Sequence, residues 1–90
     1  MQNVESIISK VREMYKNDDA IKEIISCPAT IRGYERDGKV ATYSIIFNYF
    51  GLGDHVSVTP TAIRHYKRDR DTWETLITYE SFDELMRVSN

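Results

Sequence analysis

The chain has 90 residues, of which 12 are basic and 14 acidic, giving a formal net charge of −2. Hydrophobic residues make up 41% and charged residues 29%, which excludes collagen-like, coiled-coil and charge-driven disordered chains. This length predicts one domain, residues 1–90. The single cysteine cannot form an internal disulfide, and no apolar run approaches the roughly 20 residues that span a bilayer. With no signal-peptide pattern at residues 1–5, we expect a cytoplasmic protein without a membrane partner.

Two helices are predicted at the N-terminal end. Asn3 is a suitable N-cap for the first helix, residues 4–15. Its apolar residues recur with the helical period of 3.6: Val4, Ile7, Ile8, Val11, Met14 and Tyr15. A second helix carries Ile21, Ile24 and Ile25 and ends before Pro28, which disfavours helical geometry at the preceding residue. We expect the two helices to form an αα-hairpin.

The pattern then changes to the two-residue period of β-strands. Asp37-Gly38 is typical of a two-residue hairpin turn. Counting outward from it gives the expected pairs Glu35–Val40, Tyr34–Ala41 and Arg32–Tyr43. The second strand covers about residues 40–50. Its more apolar face, which we place toward the helices, carries Ala41, Tyr43, Ile45, Phe47 and Tyr49.

The segment around Pro60 permits two interpretations. A strand over residues 55–59 precedes it. Residues 61–67 then form either a strand paired with residues 72–79 or a helix that begins at Thr59-Pro60. We prefer the hairpin, because residues 73–79 alternate strongly and need a partner strand.

A short helix is predicted at the C-terminal end. Ser81 and Glu84 form a capping box, and Phe82, Leu85 and Met86 share one face of the helix that follows. The element order predicts an α+β fold. We expect an antiparallel sheet of four to five strands, with the helices packed on one sheet face.

The sequence contains no established catalytic, metal or cofactor motif. Two histidines and one cysteine lack metal-ligand spacing. Gly51-Leu52-Gly53 lacks the third glycine of a nucleotide-binding loop and is better explained as a turn. We therefore predict no metal, no cofactor and no enzymatic activity. A remaining enzyme hypothesis places Cys27, His55 or His65 in a site shared by a dimer.

Charges are unevenly distributed along the chain. Residues 64–70 contain four basic residues, whereas the rest of the chain has 8 basic and 13 acidic residues. Residues 71–84 contain five acidic residues and no basic one. The chain thus combines a basic segment with an acidic body.

Our first hypothesis is a non-enzymatic protein-binding module, an adaptor or an inhibitor of the kind encoded by phages or mobile elements. It would dock on a larger protein, such as a nucleic-acid-binding one, through an aromatic sheet face and the charged hairpin. Six tyrosines, three phenylalanines and one tryptophan also suit a homodimer. The expected contact residues are Arg64, Tyr66, Lys67, Arg68, Arg70, Trp73, Glu74, Glu80, Asp83 and Glu84.

The alternative hypothesis is weak binding of single-stranded nucleic acid by the hairpin at residues 64–73. Bases would stack on Tyr66 and Trp73 while the neighbouring basic side chains meet phosphates. The net acidity argues against this hypothesis. Four basic side chains would neutralise about four phosphates, which supports only weak, salt-sensitive binding.

Overall fold

Residues 3–89 are described by the computed structural model, and they form three helices and five strands. The helices are α1 (Val4–Met14), α2 (Lys22–Ser26) and α3 (Phe82–Leu85). The strands are β1 (Ala29–Arg36), β2 (Lys39–Phe47), β3 (His55–Val58), β4 (Ala62–Lys67) and β5 (Thr72–Thr78). They form one sheet in the order β1-β2-β3-β4-β5, and every neighbouring pair is antiparallel. The predicted α+β class and antiparallel sheet are confirmed.

The first helix begins where its capping residue predicts. The Oδ1 atom of Asn3 accepts hydrogen bonds from the backbone N–H of Glu5 at 2.7 Å and of Ser6 at 3.3 Å. Before the second helix, Asp18 accepts a hydrogen bond from the N–H of Ala20 in a turn, and the N-cap residue Ile21 has no side-chain cap. It ends at Ser26, since Cys27 before Pro28 is extended.

The hairpin between β1 and β2 contains an irregularity that the sequence did not reveal. Asp37 and Gly38 both have positive φ, as the predicted turn requires, and Glu35 pairs with Val40. The register then shifts, so that Tyr34 pairs with Thr42. Arg32 pairs with Ser44. The expected pairs Tyr34–Ala41 and Arg32–Tyr43 are therefore wrong, because a β-bulge adds Ala41 to the second strand.

The segment after Pro60 is a strand, as preferred. β4 pairs with β5 from Ala62, which lies opposite Thr78, to Lys67, which lies opposite Thr72. Thr59 makes the turn into β4, since its Oγ1 accepts from the backbone N–H of Thr61 and Ala62. Tyr79 follows β5 and donates its hydroxyl to the carbonyl of Thr59 at 2.6 Å. This bond ties the two ends of the hairpin together.

The core gathers side chains from helices and strands. Its fully buried members include Ile7, Val11, Ile21, Ile25, Ile45, Phe47, Val56, Val58, Ile63 and Leu85. Ile45 and Phe47 lie there as expected, whereas Ala41 and Tyr49 from the same predicted face are exposed. Ser44 and Ile46, on the opposite face of β2, are also buried.

Across residues 3–89, none of the helices combines the length and the apolar character that crossing a membrane would require.

Candidate functional site: an aromatic and arginine face

Three aromatic side chains form a row across the sheet. Directly paired strand residues point to the same side of a sheet. His55 pairs with Tyr66, and Tyr66 pairs with Trp73, so the three rings share one side of β3, β4 and β5. The next row on that side contains Ser57, Arg64 and Thr75.

The rings contact one another closely. His55 stacks on Tyr66 with ring centroids 4.6 Å apart. Trp73 lies 5.2 Å from each of these two rings, with its plane steeply inclined to that of His55. Tyr49 meets His55 edge-on at 6.2 Å. The guanidinium carbon of Arg64 lies 4.9 Å from the Trp73 ring centroid, a cation–π contact. We call these five residues the aromatic face.

The same side of the sheet continues onto β2 and β1. Arg32 pairs with Ser44, and its Nη1 donates to the Tyr49 hydroxyl at 3.3 Å. Among the described strand residues the carboxylates are Glu35 and Glu74, and alternation places both on the opposite side. The strands therefore present arginines and aromatic rings on this side without a carboxylate.

The predicted contact residues do not form one surface. Arg64, Tyr66 and Trp73 lie together on the aromatic face. Lys67 alternates to the other side and forms an ion pair with Glu74, with Nζ and Oε2 2.5 Å apart. The remaining basic residues of the segment, Arg68 and Arg70, lie in the exposed turn between β4 and β5, which also contains Asp69.

The acidic stretch is likewise divided. Asp71 accepts a hydrogen bond from the Tyr66 hydroxyl beside the aromatic face, which raises the pKa of that hydroxyl. The exposed Glu80 and Asp83 and the half-buried Glu84 lie at α3, beyond the end of β5. The Ser81 hydroxyl oxygen accepts a hydrogen bond from the backbone N–H of Glu84 at 3.2 Å and so caps the start of α3.

Tyr49 and His55 belong to the aromatic face and Arg32 borders it, but the sequence alone does not place the two rings there. The strand pattern predicts that Tyr49 faces the helices, whereas it is exposed beside His55. The sequence did contain one signal for His55, because alternation sets it opposite the apolar Val56 and Val58. The missing information was the pairing of β3 with β4, which brings His55 beside Tyr66.

The loop before β3 is fastened to the turn after β4. The two carboxylate oxygens of Asp54 accept from the backbone N–H of Arg68 at 3.0 Å and face Nε2 of His65 at 2.8 Å. The hydrogen bond from Arg68 lowers the pKa of the Asp54 carboxyl, and His65 adds to this effect. Burial lowers the pKa of His55. Through its contacts with Arg68 and His65, Asp54 holds the loop before β3 in position beside the strands that carry the aromatic face.

The residues of the enzyme hypothesis lie in three different environments. Cys27 is half-buried after α2, where its Sγ contacts the carbonyl of Glu23 at 3.4 Å. His55 belongs to the aromatic face, whereas His65 pairs with the buried Val56 on the other side of the sheet. Within residues 3–89, no group of three or more His, Cys, Asp or Glu side chains is arranged to hold a metal ion.

Comparisons with protein-family models, with curated proteins and with solved structures found no match to this chain.

Proposed function

We propose that the chain binds single-stranded nucleic acid weakly through the aromatic face. The observation that carries this proposal is the row of His55, Tyr66 and Trp73 beside Arg64. The carboxylates of the described strand residues lie on the opposite side of the sheet. Single-strand binding combines rings on which bases stack with cations that meet phosphates. We place this hypothesis ahead of protein docking, because the acidic residues that docking would use are divided between separate parts of the molecule.

The proposal requires the part of this side on β4 and β5 to be open, because Ser44, Ile46 and Ser57 on the same side are buried. We infer that α1 and α2 form the predicted αα-hairpin and that the helices cover the opposite side. In support, Arg12 of α1 donates through Nε to the carbonyl of Ile25 in α2 at 2.7 Å. The buried cluster also joins residues of both helices to the strand positions that alternate with the aromatic face. Trp73 is 42% exposed, so an incoming base has access to it.

The affinity should be low and sensitive to salt. Arg32 and Arg64 lie on the aromatic side, and Arg68 lines an open pocket beside Tyr49 and Tyr66, where Asp71 opposes its charge. Three arginines neutralise about three phosphates, far fewer than the contacts made by strong binders. The net charge of −2 further opposes association with a polyanion.

The test is fluorescence anisotropy of a labelled single-stranded oligonucleotide pool of about 12 nucleotides, a typical site size. We expect binding at low salt that weakens steeply as salt is raised. Trp73→Ala should weaken binding about 5-fold to 150-fold, the loss of one stacked base. Arg64→Ala should also reduce the salt dependence by about one phosphate.

Arg87→Ala is the matched control, because Arg87 is exposed after α3, between Met86 and Val88, which pack against the buried core. It removes the same charge and should leave binding nearly unchanged. Circular dichroism of each variant checks that the fold is retained. An absence of binding at low salt, or equal losses for Arg64→Ala and Arg87→Ala, would reject the proposal.

Docking on a larger protein remains the second candidate, and one contact favours it. Arg64 already covers the Trp73 ring, which leaves less of that ring for a base. Trp, Tyr and Arg are also the residues most enriched at protein-interface hot spots. If oligonucleotides do not bind, the same variants serve as baits. A protein target retained by the wild type and by Arg87→Ala, but lost with Trp73→Ala, would support docking.

A further inference from the structure

A polar pocket lies between the aromatic face and the turn that follows β4. Its volume is about 500 Å³, within the range of roughly 300–1,000 Å³ that small-ligand sites occupy. It is lined by Tyr49, Gly51, Gly53, His55, Tyr66, Arg68 and Asp71. The rings of Tyr49, His55 and Tyr66 belong to the aromatic face, so the pocket continues that surface. We call this cavity the turn pocket.

The turn pocket contains two side chains of opposite charge. Arg68 and Asp71 are both exposed in the turn between β4 and β5. The backbone N–H of Asp71 donates to the carbonyl of Arg68 at 3.2 Å, which closes the turn between them. A guanidinium only donates hydrogen bonds, and an ionised carboxylate only accepts them. The pocket therefore offers donors and acceptors beside aromatic rings.

The backbone that carries these two side chains is held in place. Oδ1 of Asp54 accepts from the backbone N–H of Arg68 at 3.0 Å. Asp71 has a positive φ of 51°, which aspartate and asparagine adopt more readily than most residues. Its Oδ1 accepts from the Tyr66 hydroxyl. An ionised carboxylate has about four acceptor positions, so Asp71 can accept further hydrogen bonds from a ligand.

The carboxylate of Asp71 decides which part of a nucleic acid suits the turn pocket. A phosphate is negatively charged and would be repelled by this carboxylate. The edge of a base combines donors with acceptors, and its ring can pack against aromatic side chains. The turn pocket therefore suits a base, whereas Arg64 and Arg32 on the aromatic side suit phosphates.

Guanine is the base whose edge matches this pair of side chains. Its N1–H and its N2 amino group are adjacent donors, and its O6 and N7 atoms accept hydrogen bonds from arginine. Adenine and cytosine place an accepting ring nitrogen next to their amino group. Thymine and uracil place a carbonyl on each side of their single N–H. Each of these four bases would set an acceptor against the Asp71 carboxylate.

We propose that the turn pocket binds a guanine base of the single strand, with Asp71 accepting from N1–H and from the N2 amino group and Arg68 donating to O6. This inference rests on the proposed binding of single-stranded nucleic acid and adds a base preference to it. A neighbouring base of the same strand stacks on Trp73, and Arg64 meets the backbone. Asp71 thus selects the base, although its charge lowers the affinity for the phosphates.

The test is fluorescence anisotropy with three single strands of about 12 nucleotides. Each is made of thymine and carries one guanine, one hypoxanthine or one adenine near its centre. We expect the guanine strand to bind at least about 5-fold more tightly than the adenine strand, the discrimination that one bidentate contact provides. Hypoxanthine lacks only the N2 amino group of guanine, and its strand should bind with intermediate affinity.

Two matched variants test the role of the carboxylate. Asp71→Asn replaces one acceptor by a donor and should abolish the preference for guanine. Asp69→Asn is the control, because Asp69 is exposed in the same turn but does not line the turn pocket. Both variants remove one negative charge and should strengthen the binding of all three strands similarly. Arg68→Ala should also reduce the preference, which provides a second variant if Asp71→Asn fails to fold.

Each outcome separates this inference from the proposed function. A wild type that binds the three strands equally would overturn the guanine preference and leave nucleic-acid binding intact. A wild type that binds none of them at low salt would reject both. A preference that persists in Asp71→Asn, or that disappears equally in Asp69→Asn, would overturn the role of Asp71.

Free guanosine monophosphate tests the source of the base. It lacks the neighbouring base that stacks on Trp73, so it should displace the labelled guanine strand only at concentrations at least about 5-fold above those of the unlabelled strand. Displacement at equal concentrations would make the turn pocket a mononucleotide site and would overturn the single strand as its ligand.

Discussion

Asp54 connects His65 to the turn after β4 through its two carboxylate oxygens. Oδ2 lies 2.8 Å from Nε2 of His65, and Oδ1 accepts from the backbone N–H of Arg68 at 3.0 Å. The His65 side chain is 5% exposed and that of Asp54 is 38% exposed. Asp54 thus supplies the polar partner that a buried histidine requires.

Replacing Asp54 should destabilise the fold. Asp54→Ala would leave the buried imidazole and the Arg68 amide without this partner, at a cost of about 1–3 kcal/mol. Urea denaturation gives the free energy of unfolding. Asp69→Ala is the matched control, because Asp69 lies in the exposed turn between β4 and β5, and it should change stability by less than about 0.5 kcal/mol. Similar losses for both variants would contradict a structural role for Asp54.

Stability should fall on mild acidification because of His55. Burial lowers the pKa of His55 below its ordinary value near 6.5, so the unfolded chain binds a proton more readily than the folded one. This contribution is fully present above about pH 6.5 and is lost as the pH falls through the folded pKa. Urea denaturation at about pH 7.5 and 5.5 should show a decrease for the wild type that His55→Gln reduces. An unchanged decrease in that variant would refute the assignment.

Asp54 acts in a lower pH range. Its pKa is lowered in the folded state, chiefly by the hydrogen bond from Arg68. The stabilisation is therefore complete above the unfolded pKa near 4 and is lost as the pH falls through the still lower folded value. Denaturation profiles below about pH 4 should fall more steeply for the wild type than for Asp54→Asn. Parallel profiles for the two proteins would be the contrary result.

Truncating a side chain should lower the free energy of unfolding strongly in β2 and only slightly in the neighbouring strand β1. Phe47 is fully buried, whereas Ile31 is 47% exposed. Phe47→Ala should lower the free energy of unfolding by about 3–5 kcal/mol, and the chain would then be close to unfolding. Ile31→Ala should lower the free energy of unfolding by less than about 1.5 kcal/mol, because nearly half of this residue is already exposed to water in the folded state and little buried apolar surface is lost. Thermal denaturation monitored by circular dichroism would rank the two variants.

The cap of α1 should contribute measurably to stability. Asn3→Ala removes the acceptor of two backbone N–H groups and should cost about 1 kcal/mol. Ser9→Ala, at an exposed position within the same helix, should be neutral or slightly stabilising, because alanine favours helices. If Asn3→Ala were no less stable than Ser9→Ala, the cap would have no net effect.

Local sequence patterns predicted much of the fold. The 3.6-residue period and Asn3 predicted α1, and Asp37-Gly38 predicted the turn between β1 and β2. Such features depend on residues a few positions apart. The register beyond Glu35–Val40 was not predictable in the same way, because the bulge at Ala41 depends on how the whole hairpin twists and packs.

The candidate site was only partly predictable for the same reason. Arg64, Tyr66 and Trp73 lie in one hairpin, so the sequence brought them together. Tyr49 and His55 reach them only through the pairing of β3 with β4. Lys67 and Glu74 were predicted as contact residues, but alternation turns both to the other side of the sheet, where they pair with each other.

The amino-acid sequence by itself determined the class of the fold, its turns and caps, and the separation of a basic segment from an acidic one. Each of these follows from interactions between near neighbours in the chain. The tertiary structure decided which distant residues share a surface. It set His55 against Tyr66 and Asp54 against His65. Strand pairing made those choices, because side-chain direction in a sheet depends on register, and register depends on the packing of the whole core.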